Sequence, residues 1–307
     1  MIRVGVAGWD YEDWKGVVYP SPAPRGFDPL AWLAGFFPLV EVNSTFYRPP
    51  APRTVRSWLS RVEGRRDFRF SAKVWRRLTH ERAPLSAADV RAAREGLDLL
   101  AGGGRLAAAL LQFPWSFKRD PENRAWLRLV TRELRGLPLV LEVRHASWDV
   151  PELYASLAAE GIGFVNLDQP LFRDSLGPSA VATAPVAYVR IHGRNAADWF
   201  RADATRDERY DYLYAPEELS PWVERVRAVA AAPGVAEVVV VTNNHFGGQE
   251  VVNALQLRSM LEGRRVEGPA TLWERFAAAL DPFADPVTSP SSSPSSPPQA
   301  PPAASPS

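Results

Sequence analysis

The chain has 307 residues, of which 46% are apolar, and its formal net charge is +1. A balanced charge excludes a global electrostatic attraction to nucleic acid or membranes, and the absence of cysteine excludes disulfides and thiolate metal sites. No secretory h-region and no run of about 18 apolar residues is visible, so we expect a soluble cytoplasmic protein without a membrane partner.

Eight short apolar runs, many of them β-branched, alternate with loops and amphipathic helical stretches. They cover residues 2–8, 39–43, 68–73, 106–113, 139–145, 163–168, 187–193 and 237–244. This alternation predicts a single α/β domain over residues 1–281, a TIM-type (β/α)8 parallel barrel. Residues 282–307 are rich in Pro, Ser and Ala, which predicts a disordered C-terminal tail.

Within most of these runs, apolar residues alternate with polar ones. The apolar face of a barrel strand packs on the outer helices, so we expect the polar face to point into the barrel, toward its C-terminal mouth. The predicted inward set is Glu41, Asn43, Lys73, Gln112, Glu142, Arg144, Asn166, Asp168, Arg190, His192 and Asn244, with Asn243 in place of Asn244 if the last strand is shifted by one residue.

The mixture of acids, cations and imidazole in this set predicts a site with acid/base chemistry. We expect Glu142, Asp168 and His192 to be catalytic, and Lys73, Arg144 and Arg190 to bind an anion. The remaining predicted ligand contacts are Asn43, His145, Asn244 and the aromatic side chains of Trp9, Tyr11, Tyr47 and Trp148, which suit a sugar or a nucleobase.

Two other interpretations of the polar lumen stay open. It is either a self-neutralising ion-pair network that fills the barrel, or a divalent-metal site with Glu142, Asp168, His192 and His245 as ligands. Three cations in the same lumen oppose a bound metal ion, and no HExxH spacing is present. No dinucleotide fingerprint or phosphate-binding loop occurs either, so no cofactor is predicted, with a divalent metal as the alternative.

Seven segments along the chain carry a resemblance to a known family. They are "GWDYEDWKGVVYP" (8–20), "EVNSTFYRPP" (41–50), "FSAKVWRRLTH" (70–80), "LLQFPWSF" (110–117), "EVRHASW" (142–148), "RIHGR" (190–194) and "TNNHFGGQEVVNA" (242–254). They resemble the YecE-like proteins, domain-of-unknown-function family 72. The resemblance implies a TIM-type barrel whose reaction is not established, similar in outline to xylose isomerase and endonuclease IV.

The family-like positions in this chain include Glu41, Asn43, Lys73, His80, Glu142, Arg144, His145, Trp148, Arg190, His192 and Asn244. The family's "GTSGW" start is "GVAGW" here, so the hydroxyl before that glycine is missing.

The leading functional hypothesis is an enzyme with hydrolase-like acid/base chemistry. Its ligand would be a small polar anion, such as a sugar phosphate or a nucleotide fragment, bound at the C-terminal mouth of the barrel. One alternative is a divalent-metal phosphodiesterase that acts on nucleic acid, by analogy of fold with endonuclease IV. The other is a non-catalytic nucleic-acid-binding protein that uses the basic segment 41–80.

Overall fold

A computed structural model describes residues 1–290 except Phe200, Ala202 and Ala204. Eight parallel strands form a closed barrel in chain order, and β1 completes the ring by pairing with β8. The strands are β1 (Ile2–Ala7), β2 (Leu39–Val42), β3 (Arg69–Lys73), β4 (Leu106–Gln112), β5 (Leu139–Glu142), β6 (Gly163–Asp168), β7 (Val186–Ile191) and β8 (Glu237–Thr242). The predicted TIM-type barrel is confirmed.

Helices surround the barrel and carry its apolar outer layer. They are α1 (Pro29–Phe36), α2 (Ser44–Tyr47), α3 (Pro52–Arg61), α4 (Ala87–Gly102), α5 (Pro121–Glu133), α6 (Pro151–Glu160), α7 (Ala196–Trp199), α8 (Arg206–Arg209), α9 (Pro216–Ala230), α10 (Gln249–Glu262) and α11 (Trp273–Leu280). Proline opens several of these helices at its preferred first position, as in α1, α5 and α6. Among the described residues, no helix is long and apolar enough to cross a membrane.

One connection departs from the strict strand–helix alternation. Residues 169–185, between β6 and β7, contain no helix. Pro170, Pro178 and Pro185 break the backbone hydrogen-bond pattern that a helix needs, and Gly177 adds conformational freedom. The backbone of this loop forms hydrogen bonds with Asn166 of β6, as described below.

The predicted start of the tail at residue 282 is wrong. Residues Ala284–Val287 form a strand, β10, which pairs in parallel with β9 (Val266–Pro269) beside the barrel. Ala284 is fully buried there, so this segment is part of the packed structure. Its Pro/Ser-rich surroundings in the sequence did not suggest this. Residues 291–307 of the predicted tail lie outside the described part of the chain.

The register of the sheet decides which side chains face the lumen. In a parallel sheet, residues that lie side by side on neighbouring strands point to the same face. Glu41 lies beside Ser71, Gln112 beside Glu142, and Arg190 beside Val241. The predicted inward orientation of the polar side chains on β2, β3, β5 and β7 therefore agrees with the register.

Candidate functional site

A buried guanidinium group links two strands across the lumen. Arg190 on β7 is 0% exposed, and its Nη2 donates to Oε1 of Glu41 on β2 at 2.5 Å. Its Nη1 donates to Oε2 of Glu142 on β5 at 2.9 Å. Burial alone would lower the pKa of Arg190, but the two carboxylates outweigh burial and raise it. Arg190 is therefore always charged, and its guanidinium group donates hydrogen bonds to both carboxylates.

Glu142 has a second cationic partner nearer the mouth. Arg144 approaches Glu142 Oε1 through Nη2 at 2.9 Å and through Nε at 3.0 Å. Burial raises the pKa of Glu142, but Arg190, His192 and Arg144 together lower it well below its usual range. Glu142 is thus a fixed carboxylate, with both of its oxygens engaged.

His192 completes the buried part of this network. Its Nδ1 accepts a hydrogen bond from Asn243 Nδ2 at 3.2 Å, and its Nε2 lies 3.3 Å from Glu142 Oε1. Burial lowers the pKa of His192 to about 3; Glu142 opposes this shift, and Arg144 and Arg190 reinforce it. The imidazole is therefore neutral at physiological pH.

The last barrel strand follows the shifted register. Asn243 is the inward residue, and its Oδ1 accepts from Arg190 Nη2 at 3.1 Å. Asn244, the predicted ligand contact, points the other way, because its Nδ2 donates to the Tyr212 carbonyl and to Asn253 Oδ1, each at 2.7 Å. The prediction that Asn244 faces the lumen is wrong.

Asp168 and Asn166 were also predicted to face the lumen, and this prediction is wrong. Asp168 lies beside Ile191, whereas Leu167 lies beside the inward Arg190. The Asp168 carboxylate accepts from Arg194 Nη2 and from Trp222 Nε1 of α9, both at 2.8 Å. It therefore belongs to the layer outside the barrel.

The loop between β6 and β7 gives the physical reason for this reversal. Residues 169–185 form no helix, so the backbone of this loop needs other hydrogen-bond partners. Asn166 supplies them, since its Oδ1 accepts from Val181 N at 2.7 Å and its Nδ2 donates to Val181 O at 2.9 Å. The polar face of β6 is consequently its outer face.

Three inward side chains from neighbouring strands meet at the mouth above the ion pairs. They are Asn43, which follows β2, Lys73 at the end of β3, and Gln112 at the end of β4, and all three are partly exposed. Asn43 Nδ2 donates to the Ala7 carbonyl at 3.1 Å, which fixes the direction of its amide. Asn43 Oδ1 and Gln112 Oε1 are buried acceptors that receive no hydrogen bond from the described residues.

Lys73 is the cation at the C-terminal end of the lumen for which no carboxylate partner is described. No described carboxylate oxygen lies within 4.0 Å of its Nζ, which lies 5.8 Å from the centroid of the Phe46 ring. Burial and the positive charge of Arg190 lower its pKa to about 7, although Glu41 and Glu142 act in the opposite direction. With Asp168 outside the barrel, Glu41 and Glu142 face three cations at the C-terminal end of the lumen, counting Lys73 as protonated.

The predicted aromatic contacts fall into two groups. Tyr11 and Trp9 are partly exposed near the mouth, and Tyr47 is 57% exposed. Gly8 shapes this rim: it has a φ of +97°, and a Cβ there would lie 2.6 Å from the Tyr11 hydroxyl. Trp148, in contrast, is 1% exposed and donates to the Phe117 carbonyl at 2.6 Å, so it belongs to the core.

The three histidines other than His192 contact residues in the segments that follow the strands. His145 Nδ1 accepts from Ser147 N at 3.1 Å and orders the turn after β5. His245 stacks on Tyr11, with a ring-centroid distance of 4.7 Å. His80 packs edge-on against Phe46 at 4.8 Å, and burial together with Arg144 and Lys73 lowers its pKa to about 4. His80 was named at a family-like position, but no role was predicted for it.

The four predicted metal ligands are not brought together. Glu142 and His192 are neighbours, but Asp168 lies in the outer layer and His245 at the rim. Within the described part of the chain, no group of three or more His, Asp or Glu side chains is arranged to hold a metal ion. The predicted ligand set does not fit a divalent metal site.

Comparison with known proteins finds relatives that match most of the chain, and solved structures among them share the fold. A curated relative, the UPF0759 protein YunF of Bacillus subtilis, is 29% identical over 276 residues, which cover 85% of this chain and 95% of YunF. A solved structure of a DUF72 family protein from Thermotoga maritima is 36% identical with a TM-score of 0.74, covering 85% of this chain and 99% of that one. A second, from Enterococcus faecalis, is 27% identical with a TM-score of 0.73, covering 85% and 95%.

The model of one family, described as a protein of unknown function, DUF72, matches residues 3–276. The chain belongs to the DUF72 family. The resemblance seen in its sequence motifs is thereby confirmed. Every side chain described above at the mouth of this DUF72 barrel lies within the matched residues.

The depressed pKa of Lys73 should make the stability of this DUF72 protein depend on pH. Between about pH 7 and pH 10.5 the unfolded chain binds a proton at Lys73 that the folded protein does not bind. We therefore expect the free energy of unfolding of the wild type, relative to Lys73→Met, to rise with pH by up to about 1.4 kcal/mol per unit in this window. Urea unfolding of both proteins across the window measures this slope, and a pH-independent difference would contradict it.

Proposed function

We propose that the mouth of the barrel binds a small hydroxylated anion of the sugar phosphate class, on which the protein acts as an enzyme. The observation that carries this proposal is the excess of positive charge among the described side chains at the C-terminal end of the lumen. Glu41 and Glu142 form ion pairs with Arg190 and Arg144. Among the described residues, no carboxylate forms an ion pair with Lys73. A buried cation without a counter-charge is costly, and a bound anion removes that cost.

Arg144 supports the same anion from the neighbouring side. It is 9% exposed, and it is held in place by Glu142 at 2.9 Å. An arginine presents its five N–H donors in a rigid planar fork, and here Glu142 fixes the orientation of that fork at the mouth. Arg144 and Lys73 thus supply a fork and a point charge, a combination that suits a phosphate group.

The two amide oxygens beside Lys73 favour a ligand that also carries hydroxyl groups. Asn43 Oδ1 and Gln112 Oε1 are buried acceptors without a donor from the described residues. Leaving such a group unsatisfied costs about 1–3 kcal/mol, and a ligand hydroxyl at each one would recover this cost. Together with the partly exposed Trp9 and Tyr11, they favour a sugar phosphate over a ligand without hydroxyl groups.

Within this proposal, Glu142 and His192 have a positioning role. Glu142 is held ionised by two guanidinium groups, and the pKa of His192 is about 3, so neither exchanges a proton readily near neutral pH. Lys73, whose pKa is about 7, is the group at the mouth best placed for proton transfer.

The test is calorimetric titration of the wild type with inorganic phosphate, followed by Arg144→Gln and Arg91→Gln. Arg91 is exposed on α4, so its variant makes the same change of charge away from the mouth. We expect Arg144→Gln to raise the Kd at least about tenfold, because it loses charge-assisted hydrogen bonds of about 1.5–3 kcal/mol. Equal Kd values for the two variants, or no binding by the wild type, would overturn the proposal.

A further inference from the structure

The chain contains three lysines, and they differ sharply in their surroundings. The side chain of Lys15 is 62% exposed and pairs with Glu12 at 2.7 Å. Lys118 is exposed, with Nζ 5.6 Å from the centroid of the Trp115 ring. Lys73 alone of the three projects inward from a barrel strand. It is partly exposed, so a ligand at the mouth can reach its amine.

We propose that Lys73 is a nucleophile that forms a covalent imine with the open-chain carbonyl group of a sugar phosphate bound at the mouth of the barrel. The inference rests on the proposed function, because it takes the same anion-binding site and assigns the reacting atom. It narrows the ligand class to hydroxylated anions that bear an aldehyde or a ketone.

The surroundings of Lys73 provide what such an amine needs. A lysine attacks a carbonyl only in its neutral form, and burial beside another cation is the usual way to obtain that form near pH 7. Here burial and Arg190 lower the pKa of Lys73 to about 7, so about half of the molecules carry the free amine at that pH. No described carboxylate lies close enough to hold Nζ in a salt bridge.

The remaining groups at the mouth can orient the ligand. Arg144 offers N–H donors to the phosphate group, so that the carbonyl end faces Lys73. Asn43 Oδ1 and Gln112 Oε1 flank Lys73 on the neighbouring strands and can accept from the hydroxyl groups beside the carbonyl. Lys73 Nζ lies 5.8 Å from the centroid of the Phe46 ring, so this ring borders one side of the amine.

The bond changes balance without an oxidant or a reductant. The Nζ lone pair attacks the carbonyl carbon, a C–N bond forms, and the C=O π electrons pass to oxygen, which takes up a proton. Nitrogen then loses a proton to give a neutral carbinolamine. Protonation of the hydroxyl and loss of water form the C=N bond, and the imine loses its remaining extra proton or retains it. Hydrolysis reverses the sequence and restores the free amine.

The experiment traps the imine on the full-length protein. Wild type is incubated at pH 7 with D-erythrose 4-phosphate and sodium cyanoborohydride, which reduces an imine to a stable amine, and the modified peptides are quantified by mass spectrometry. We expect Lys73 to be modified at least about tenfold faster than Lys15 and Lys118, because a larger fraction of its amine is neutral. Inorganic phosphate should slow the reaction at Lys73, and D-erythrose, which lacks the phosphate group, should modify Lys73 more slowly than D-erythrose 4-phosphate does.

Lys73→Met serves as the control for assignment, since it should remove the selective adduct and leave the slower ones. Modification of Lys73 no faster than of Lys15 and Lys118 would overturn the inference. If phosphate still binds in an Arg144-dependent manner in that case, the anion site stands and only the nucleophile is refuted. If phosphate does not bind, the proposed function itself fails.

Discussion

Replacement of Arg190 by methionine is expected to lower the free energy of unfolding by about 3–5 kcal/mol, the range for breaking a buried ion pair. Methionine matches much of the volume of arginine but leaves Glu41 and Glu142 without the guanidinium that bridges them at 2.5 Å and 2.9 Å. Glu41 loses its only described ion-pair partner, whereas Glu142 keeps Arg144. Urea unfolding at pH 7 measures the loss.

Two comparisons test whether this loss of stability comes from leaving the Glu41 carboxylate buried without an ion-pair partner. In the double variant Glu41→Gln/Arg190→Met the carboxylate of Glu41 is gone, so we expect at least about 1 kcal/mol of stability to return relative to Arg190→Met. Arg128→Met makes the same side-chain change on the exposed face of α5 and should alter stability by less than about 0.5 kcal/mol. A loss in Arg190→Met no larger than in Arg128→Met would show that the buried ion pairs do not support the barrel.

Replacement of Lys73 by methionine should change stability and binding in opposite directions. At about pH 6.5 the wild type carries a protonated Lys73 near two guanidinium groups, so we expect the variant to be more stable. The same change removes the cation that lacks a carboxylate, so we expect the Kd for sulfate to rise at least about tenfold. A variant that is more stable and binds less cannot be explained by misfolding.

Sulfate suits this measurement because its charge does not change between pH 6 and pH 9. The affinity of the wild type for sulfate should fall as the pH rises past the pKa of Lys73, which is about 7 in the free protein. In Lys73→Met this fall in affinity should be absent. Lys118→Met is the matched control, since Lys118 is exposed on the loop after β4. Unchanged sulfate binding in Lys73→Met would refute the assigned role of Lys73.

The sequence was most informative where a strand separates an apolar face from a polar one. On β5 and β7 the alternation predicted that Glu142 and Arg190 share the lumen, and the register brings them to 2.9 Å. Such alternation is a reliable guide because it is imposed by the pleat, and one face must meet the outer helices. The barrel itself followed from eight repetitions of this pattern.

The same reasoning failed on β6, because the polar face of this strand is its outer face and its apolar face points into the lumen. Leu167 faces the lumen, while Asp168 points outward and accepts hydrogen bonds from Arg194 and from Trp222 of α9. This reversal changes the functional conclusion. It removes one carboxylate from the lumen and leaves Lys73 as the unbalanced cation.

Other features depend on distances that a sequence does not contain. His145 and Trp148 occupy rim positions in the chain, yet their contacts lie within the loop after β5 and in the core. The two ion pairs of Glu142, with Arg190 and with Arg144, likewise depend on the three-dimensional arrangement of the strands. Paired charges fill the lumen, and Lys73 lies nearer the mouth, at the end of β3.

The most direct measurement is an anomalous difference map from crystals soaked in tungstate, a divalent oxyanion similar in shape to phosphate. We predict the strongest peak at the mouth, within hydrogen-bonding distance of Lys73 Nζ and Arg144. A competing basic surface exists in the groove of about 490 Å³ along α5, which is lined by Arg128, Arg132 and Arg135. Tungstate in that groove with none at the mouth would contradict an anion-binding site in the barrel.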